Sequence, residues 1–352
     1  MTRQTAPYLQ SDPSPRWFVG VDIGGTKVDT LLVDAAFTPR SALTFSTALT
    51  SPMATLRGIE AAICETLAKA EVDLKNVTAI GLGVPGQVEP QRGVVNLAVN
   101  LNWDHFPAGE LLATNLGVPC FLENDVRAAA LGVYRFSNPA AFQHIAYVSI
   151  GTGVSAGLIL QGRLYRGVHG MAGEFGHSLA DPNGPRCNCG AYGCLETFIG
   201  GPAIARLGRQ AAQTEAETLL QQSASLTAKE VYAAAQAGDI AAGHIVEQAG
   251  VYLGRALQQL IMFYDVEWIV LGGGVARAGD TFLQPLLREW ERQRAFSALA
   301  QTMLRPAMLH LVDPDQHIGT WGAVAVAEQG LPMPSRRPMM PPATVLYEPS
   351  TG

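Results

Sequence analysis

Apolar positions along this chain recur with two different periods, and the succession of the two is the first guide to its architecture. In "WFVGVDIGGTKVDTLLVD", β-branched and apolar residues stand on both sides of Gly24-Gly25. That pattern predicts strand, tight turn, strand, because glycine takes backbone angles that other residues avoid. "VTAIGLGVPG" and "VPCFLEND" predict further strands, and "ATLRGIEAAICETLAKA" reads as a helix. After Phe142 the outline repeats, since "HIAYVSIGTGVSAGLILQGRLYRG" is again strand, Gly-Thr-Gly turn, strand. Val246, Ala249, Leu253, Ala256, Leu257 and Leu260 then mark the core face of a long helix ahead of "WIVLGGGV", a buried strand entering a triple-glycine turn. Strands alternating with helices predict an α/β layer structure, and two halves that each open on a hairpin predict two lobes. The segment from Gly330 onward is Pro-rich and is expected to be extended or disordered.

Composition narrows the class without changing that picture. At 352 residues the chain is long enough for about two domains with a substantial core. Its 48% hydrophobic content and net charge of -6 describe a globular protein with no basic footprint, so no nucleic-acid partner is expected. No apolar run approaches ~18 residues and the polar N-terminal segment lacks a signal-peptide core, so a cytoplasmic protein with no membrane partner is expected. Cys64 and Cys120 lie among apolar neighbours and are expected as buried thiols.

The chemistry concentrates at glycine turns and in one cysteine-rich stretch. "DIGGTK", "IGTG" and "LGGGV" each follow a strand and expose backbone N–H groups to anionic oxygens. Three such turns in two similar halves predict a nucleotide held between lobes, by Gly24, Gly25, Thr26, Gly151, Thr152, Gly153, Gly272, Gly273 and Gly274. Asp22 would add a Mg²⁺-facing carboxylate and Lys27 a phosphate-facing ammonium. In "LENDVRAAALG" a strand ends where a helix opens, so Asp125 is either a helix cap or a general base at a strand's carboxyl end. Within "GEFGHSLADPNGPRCNCGAYGCLE", His177, Cys187, Cys189 and Cys194 supply one imidazole and three thiolates. Four such ligands close a tetrahedral Zn²⁺ site with no position for a water, which is a structural site. Glu174 and Glu196 flank it as non-ligand carboxylates suited to holding sugar hydroxyls.

With "GLGVPG", "NLNW", "GEFGH" and "CNCGAYGCLE" added in order, the chain from about Trp17 to Gly330 resembles the ROK (repressor, open reading frame, kinase) family, and within it the bacterial ATP-dependent glucokinases. The resemblance implies an actin-like ATPase (ribonuclease H-like) two-lobed α/β fold with a small zinc-binding loop in the second lobe. The lobes would span residues 17–128 and 129–315, with residues 316–330 forming a helix that returns to the first and residues 1–16 and 331–352 lying outside. It implies a homo-oligomer, a dimer or tetramer. It further implies a hexose kinase using ATP, Mg²⁺ and structural Zn²⁺, with Asp125 as base and Asn124 beside it on the sugar. Gly86, Asn100, Glu174, His177 and Glu196 would complete the hexose site, with His177 also holding zinc. N-acetylmannosamine, N-acetylglucosamine or fructose are alternative substrates, and a non-catalytic sugar-binding regulator is an alternative function. The family's repressors carry a helix-turn-helix module, for which about sixteen residues ahead of the first strand are too few. Two departures stand out: Arg127 occupies a position where the family commonly has Asn, and Ser155 and Ala156 replace common glycines.

Overall fold

The computed structural model describes residues 16–215, 217–222, 225–313 and 316–331. Two five-stranded sheets organise it. In the first, β1 (Trp17–Ile23), β2 (Lys27–Asp34), β3 (Pro39–Ser46), β4 (Val77–Val84) and β8 (Cys120–Asn124) lie in the order β3-β2-β1-β4-β8. Between β4 and β8 in the chain, the short strands β5 (Gln87–Glu89), β6 (Val94–Ala98) and β7 (Trp103–Phe106) form a separate antiparallel sheet. The second large sheet takes β9 (Ile145–Ile150), β10 (Val154–Leu160), β11 (Arg163–Tyr165), β12 (Trp268–Gly272) and β13 (Leu309–Leu311) in the order β11-β10-β9-β12-β13.

The two sheets repeat one plan. β1 pairs antiparallel with β2 and β2 with β3, while β1 pairs parallel with β4 and β4 with β8. β9, β10, β11, β12 and β13 reproduce every one of those orientations in the same positions. The correspondence extends to single residues, since Asp22 lies opposite Gly83 on β4 and Ser149 opposite Gly272 on β12. Parallel strands flanked by helices put their carboxyl ends on one side, and each plan brings its own set of loops there.

Helical periodicity forms the cover. Pro52–Lys69 turns Leu56, Ile59, Ile63 and Leu67 inward, with Ser51 capping its first turn. The helix Ile240–Tyr264 buries all six residues of the expected stripe. Cys64 differs from expectation: it is exposed, because one residue past Ile63 a helix has rotated by about 100°. Cys120 is half-buried, and burial pushes its thiol up to about 12.

The helix Ile318–Gly330 follows β13 yet packs on β1, β4 and the helix Asp125–Gly132 of the first half. Gly81 permits the approach, for a Cβ there would stand 1.8 Å from the Ala323 carbonyl oxygen. The expected Pro-rich tail and residues 1–15 lie outside the described residues. Among the described residues no helix is long and apolar enough to cross a membrane.

Candidate active site

Strand register builds the centre of the site. Asp22 on β1, Gly83 on β4 and Glu123 on β8 form one row across the parallel strands. Gly83 has no side chain, so Asp22 Oδ1 and the Asp125 Cα lie within 3.5 and 3.6 Å of where its Cβ would stand. Gly83 thus lets the Asp22 carboxylate and the start of the Asp125 helix come together at the strand ends, and both residues line one cavity. They share a cavity of about 400 Å³ with Lys27, Asp29, Tyr147, Ser149, the Gly272–Gly274 turn and His317. Burial, and then the Asp125 and Asp29 charges, push the Asp22 carboxyl up to about 7. Burial raises Asp125 as well, against hydrogen bonds from Val126 and its own N–H. A cluster that resists full ionisation when empty is a ready seat for a divalent cation.

At the start of the helix both Asn124 and Asp125 accept from Val126 N, Asp125 through Oδ1 at 2.9 Å. Asn124, with non-helical backbone (φ −58°, ψ 140°), is the N-cap: its Oδ1 accepts from Val126 N and Arg127 N, both at 3.1 Å. Asp125 is the first residue of the helix and lines the cavity. The Asn124 Nδ2 donates to the Gly86 carbonyl at 3.1 Å, joining the cap to the loop after β4. Gly86 has a φ of +91°, and a Cβ there would meet the Leu97 carbonyl at 2.1 Å.

The glycine turns converge from both halves, though not all line one cavity. In the first turn Gly24 N donates to the Lys27 carbonyl at 2.8 Å, and Gly25 lies against Asn100. Thr26 and Lys27 are exposed at its tip, where Lys27 Nζ pairs with Asp29 at 2.5 Å. Gly151 of the second turn stands close to the Gly274 N–H of the third. Thr152 and Gly153 are exposed beside them, and Glu196 Oε2 accepts from Val154 N at 2.9 Å, bracing that turn from below. Glu174 and Glu196 open on neighbouring cavities rather than on the main one.

His177, Cys187, Cys189 and Cys194 come together with all four ligand atoms within 4.8 Å of one another. The Cys189 and Cys194 sulfurs are 3.7 Å apart, and tetrahedral Zn–S bonds of ~2.3 Å imply a spacing of ~3.8 Å. Burial and the two neighbouring thiols push the Cys194 thiol up to about 12, while a backbone hydrogen bond from Ala191 and then the Cys187 thiol hold Cys189 down. The donor set fits Zn²⁺. His177 Nδ1 faces Cys187 Sγ at 3.7 Å, while Nε2 lies 4.0 Å from Glu174 Oε2. A metal on Nδ1 leaves Nε2 carrying the proton and turned toward Glu174.

Sequence reasoning missed several participants. Tyr147, Ser149, Asp313 and Gly319 line the main cavity, yet only Ser149, by alignment of "VSIG" with "VDIG", left a signal. It also missed the partners of Arg127. The guanidinium is buried, its Nε donating to Glu123 at 2.8 Å and its Nη1 to the Gly170 carbonyl at 2.6 Å. The Ser155 hydroxyl donates to the Gly173 carbonyl at 3.1 Å. Both departures from the common pattern thus serve one loop.

This is the fold of the actin-like ATPases, carrying an acid-lined cleft between two halves. The chain belongs to the ROK family, whose pattern its residues 18–330 match. A glucokinase from Halalkalibacterium halodurans is 34% identical over 79% of this chain and 86% of its own. A ROK family glucokinase from Streptomyces griseus, solved in complex with glucose and AMPPNP, is 31% identical with a TM-score of 0.73, over 89% of this chain and 100% of that one. A ROK family transcriptional regulator, homologous to the Escherichia coli MLC protein, superimposes with a TM-score of 0.77 at 27% identity, over 89% of this chain and 78% of its own.

Proposed function

We propose that this protein is a cytoplasmic sugar kinase that transfers the γ-phosphoryl of MgATP to the 6-hydroxyl of a hexose, glucose foremost, with Asp125 as general base. The observation that carries the reading is the pair Asp22 and Asp125 across Gly83, with the capping duty taken by Asn124. A carboxylate that lines the cleft, with one oxygen accepting from Val126 N at 2.9 Å and its basicity raised by burial, is equipped to take a hydroxyl proton on the other. The glucokinase relatives and the glucose and AMPPNP bound to the Streptomyces griseus protein support both substrates.

Phosphoryl transfer asks the protein mainly for in-line positioning and charge stabilisation. Asp22 would hold Mg²⁺, which when bound neutralises charge developing on the phosphoryl oxygens. The backbone N–H groups of Gly25, Gly153 and Gly272–Gly274, with Thr26 and Thr152, hold the nucleotide phosphates, the Gly24 and Gly151 N–H groups shape their turns by donating to the Lys27 and Gly153 carbonyls, and Lys27 exchanges Asp29 for a phosphate oxygen. Asn100, Asn124 and the Gly86 loop orient the hexose with Glu174, His177 and Glu196, the last already bonded through Oε2 to the Val154 N–H. The Cys3His cluster would hold a structural Zn²⁺ that fixes the direction of His177 and Glu174.

A coupled ADP-release assay over glucose, mannose, fructose, N-acetylglucosamine and N-acetylmannosamine tests the proposal. Glucose should stimulate release most. Stimulation by an N-acetylhexosamine or fructose alone keeps the kinase and reassigns its substrate. A protein that binds a sugar without turning over ATP would be a regulator instead, and the kinase reading would fail.

A further inference from the structure

The loop from Arg166 to Gly173 leads directly into Glu174 and has little apolar anchorage of its own. Val168 is 96% exposed and Met171 is 44% exposed. Its internal backbone bonding includes Ala172 N to the Arg166 carbonyl at 3.1 Å. Polar contacts to the rest of the molecule hold it at three points. Gly173 is held by β10, through Ala156 N at 2.8 Å and the Ser155 hydroxyl at 3.1 Å. Arg166 donates from Nε to Glu123 Oε2 at 2.6 Å. Gly170 accepts from Arg127 Nη1 at 2.6 Å.

Two of the three anchors meet at the Glu123 carboxylate, which is 1% exposed. Its Oε1 accepts from Arg127 Nε at 2.8 Å and from the Asn124 N–H at 2.9 Å. A carboxylate so buried is tolerated only when paired and hydrogen-bonded, and here the pairing spans the two halves. Glu123 and Arg127 bracket Asn124 and Asp125 at the end of β8, while Gly170 and Arg166 belong to the loop that delivers Glu174. The planar fork of an arginine can hold the carboxylate and the carbonyl together, which a lysine ammonium cannot reproduce.

We propose that Arg127 is a positioning residue: through Glu123 and the Gly170 carbonyl it locks the Glu174 loop to the strand end carrying Asn124 and Asp125, and so sets the fit of the hexose. The inference rests on the hexose-kinase reading. None of the three glycine turns enters this network, so its loss falls on the sugar and spares the nucleotide.

The test is a double-mutant cycle of Arg127→Met with Glu174→Gln, read as KM for hexose and for MgATP together with hexose affinity by calorimetry. Arg127→Met should raise the hexose KM about tenfold or more and leave the MgATP KM within about twofold. In the Glu174→Gln background the same change should move the hexose KM little, since both variants remove one contact. Arg127→Lys, which keeps the charge, should lie between the two and carries the cycle if Arg127→Met does not fold. A folded variant with unchanged hexose KM, or effects of Arg127 and Glu174 that simply multiply, overturns the inference alone. Wild-type protein that neither binds nor phosphorylates any hexose overturns the kinase reading and the inference with it.

Discussion

The two halves of the molecule use one strand plan for opposite purposes. In the first, Asp22 is the next-to-last residue of the strand entering the hairpin turn, Lys27 opens the strand leaving it, and the strand at the far edge runs into Asp125. In the second, the residue matching Asp22 in register is Ser149, and no charge stands in the turn Gly151-Thr152-Gly153 or in Gly272–Gly274. At the strand ends and turns one half brings carboxylates and an ammonium and the other glycine amides and a hydroxyl, while the charged Arg277 and Asp313 of the second half line the cavity farther along. A phosphoryl group passing between two substrates needs both, a base and cation seat on one side and neutral donors for anionic oxygens on the other. The scaffold is duplicated, but the chemistry is divided.

Breaking the charged side should cost most. Asp125→Asn removes the proton acceptor while Asn124 still caps the helix, so turnover should fall by about 10²–10⁴-fold with hexose and ATP binding retained. Steady-state kinetics beside calorimetry checks it, with deamidation back to Asp excluded by mass spectrometry. Cys189→Ser attacks the loop that orients the sugar rather than the base. It should abolish Zn²⁺ content by metal analysis, lower the melting midpoint by about 5 °C or more, and raise the hexose KM.

Asp22 gives the comparison a pH signature. Its carboxyl sits at about 7 in the folded chain against an ordinary value of 3.8, so the native state holds the proton where the unfolded state has released it. The stability this contributes is present below about pH 4 and is lost as pH rises to about 7 and beyond. The stability of wild-type protein without ligand should therefore decline from pH 5 to 8 more steeply than that of Asp22→Asn, measured by denaturant midpoints across that range. Equal slopes would mean that the cleft does not hold Asp22 against ionisation. Ser149→Ala, the matching change on the neutral side, should be the mildest, with turnover within about tenfold of wild type because a single neutral hydrogen bond is at stake.

How far this division could be read in advance depended on the kind of signal. Hairpins flanking glycine pairs, and the stripe from Val246 to Leu260, are periodic patterns longer than a turn, and both appear as expected. β5, β6 and β7 are only three to five residues long, and their "QVE", "VVNLA" and "WDHF" carry too few alternations to announce a sheet. The Cys3His cluster was legible because three thiols and an imidazole rarely crowd into one short stretch by chance. Asp125 was not decidable from sequence, since Asn124 and Asp125 are both good caps and only the backbone at residue 124 shows which one serves. Arg127 and Glu123 stand at helical i,i+4 spacing, a pairing visible in retrospect, but the third partner is a carbonyl 43 residues away, which no local pattern encodes.

The central claim is that the charged half drives transfer to a sugar hydroxyl. Its most direct test is to incubate the protein with MgATP and glucose and to identify the product by phosphorus NMR, with Asp125→Asn alongside. The account predicts hexose 6-phosphate formed in step with ADP by the wild type and scarcely formed by the variant. ADP appearing without phosphorylated sugar, or equal product from both proteins, would contradict it.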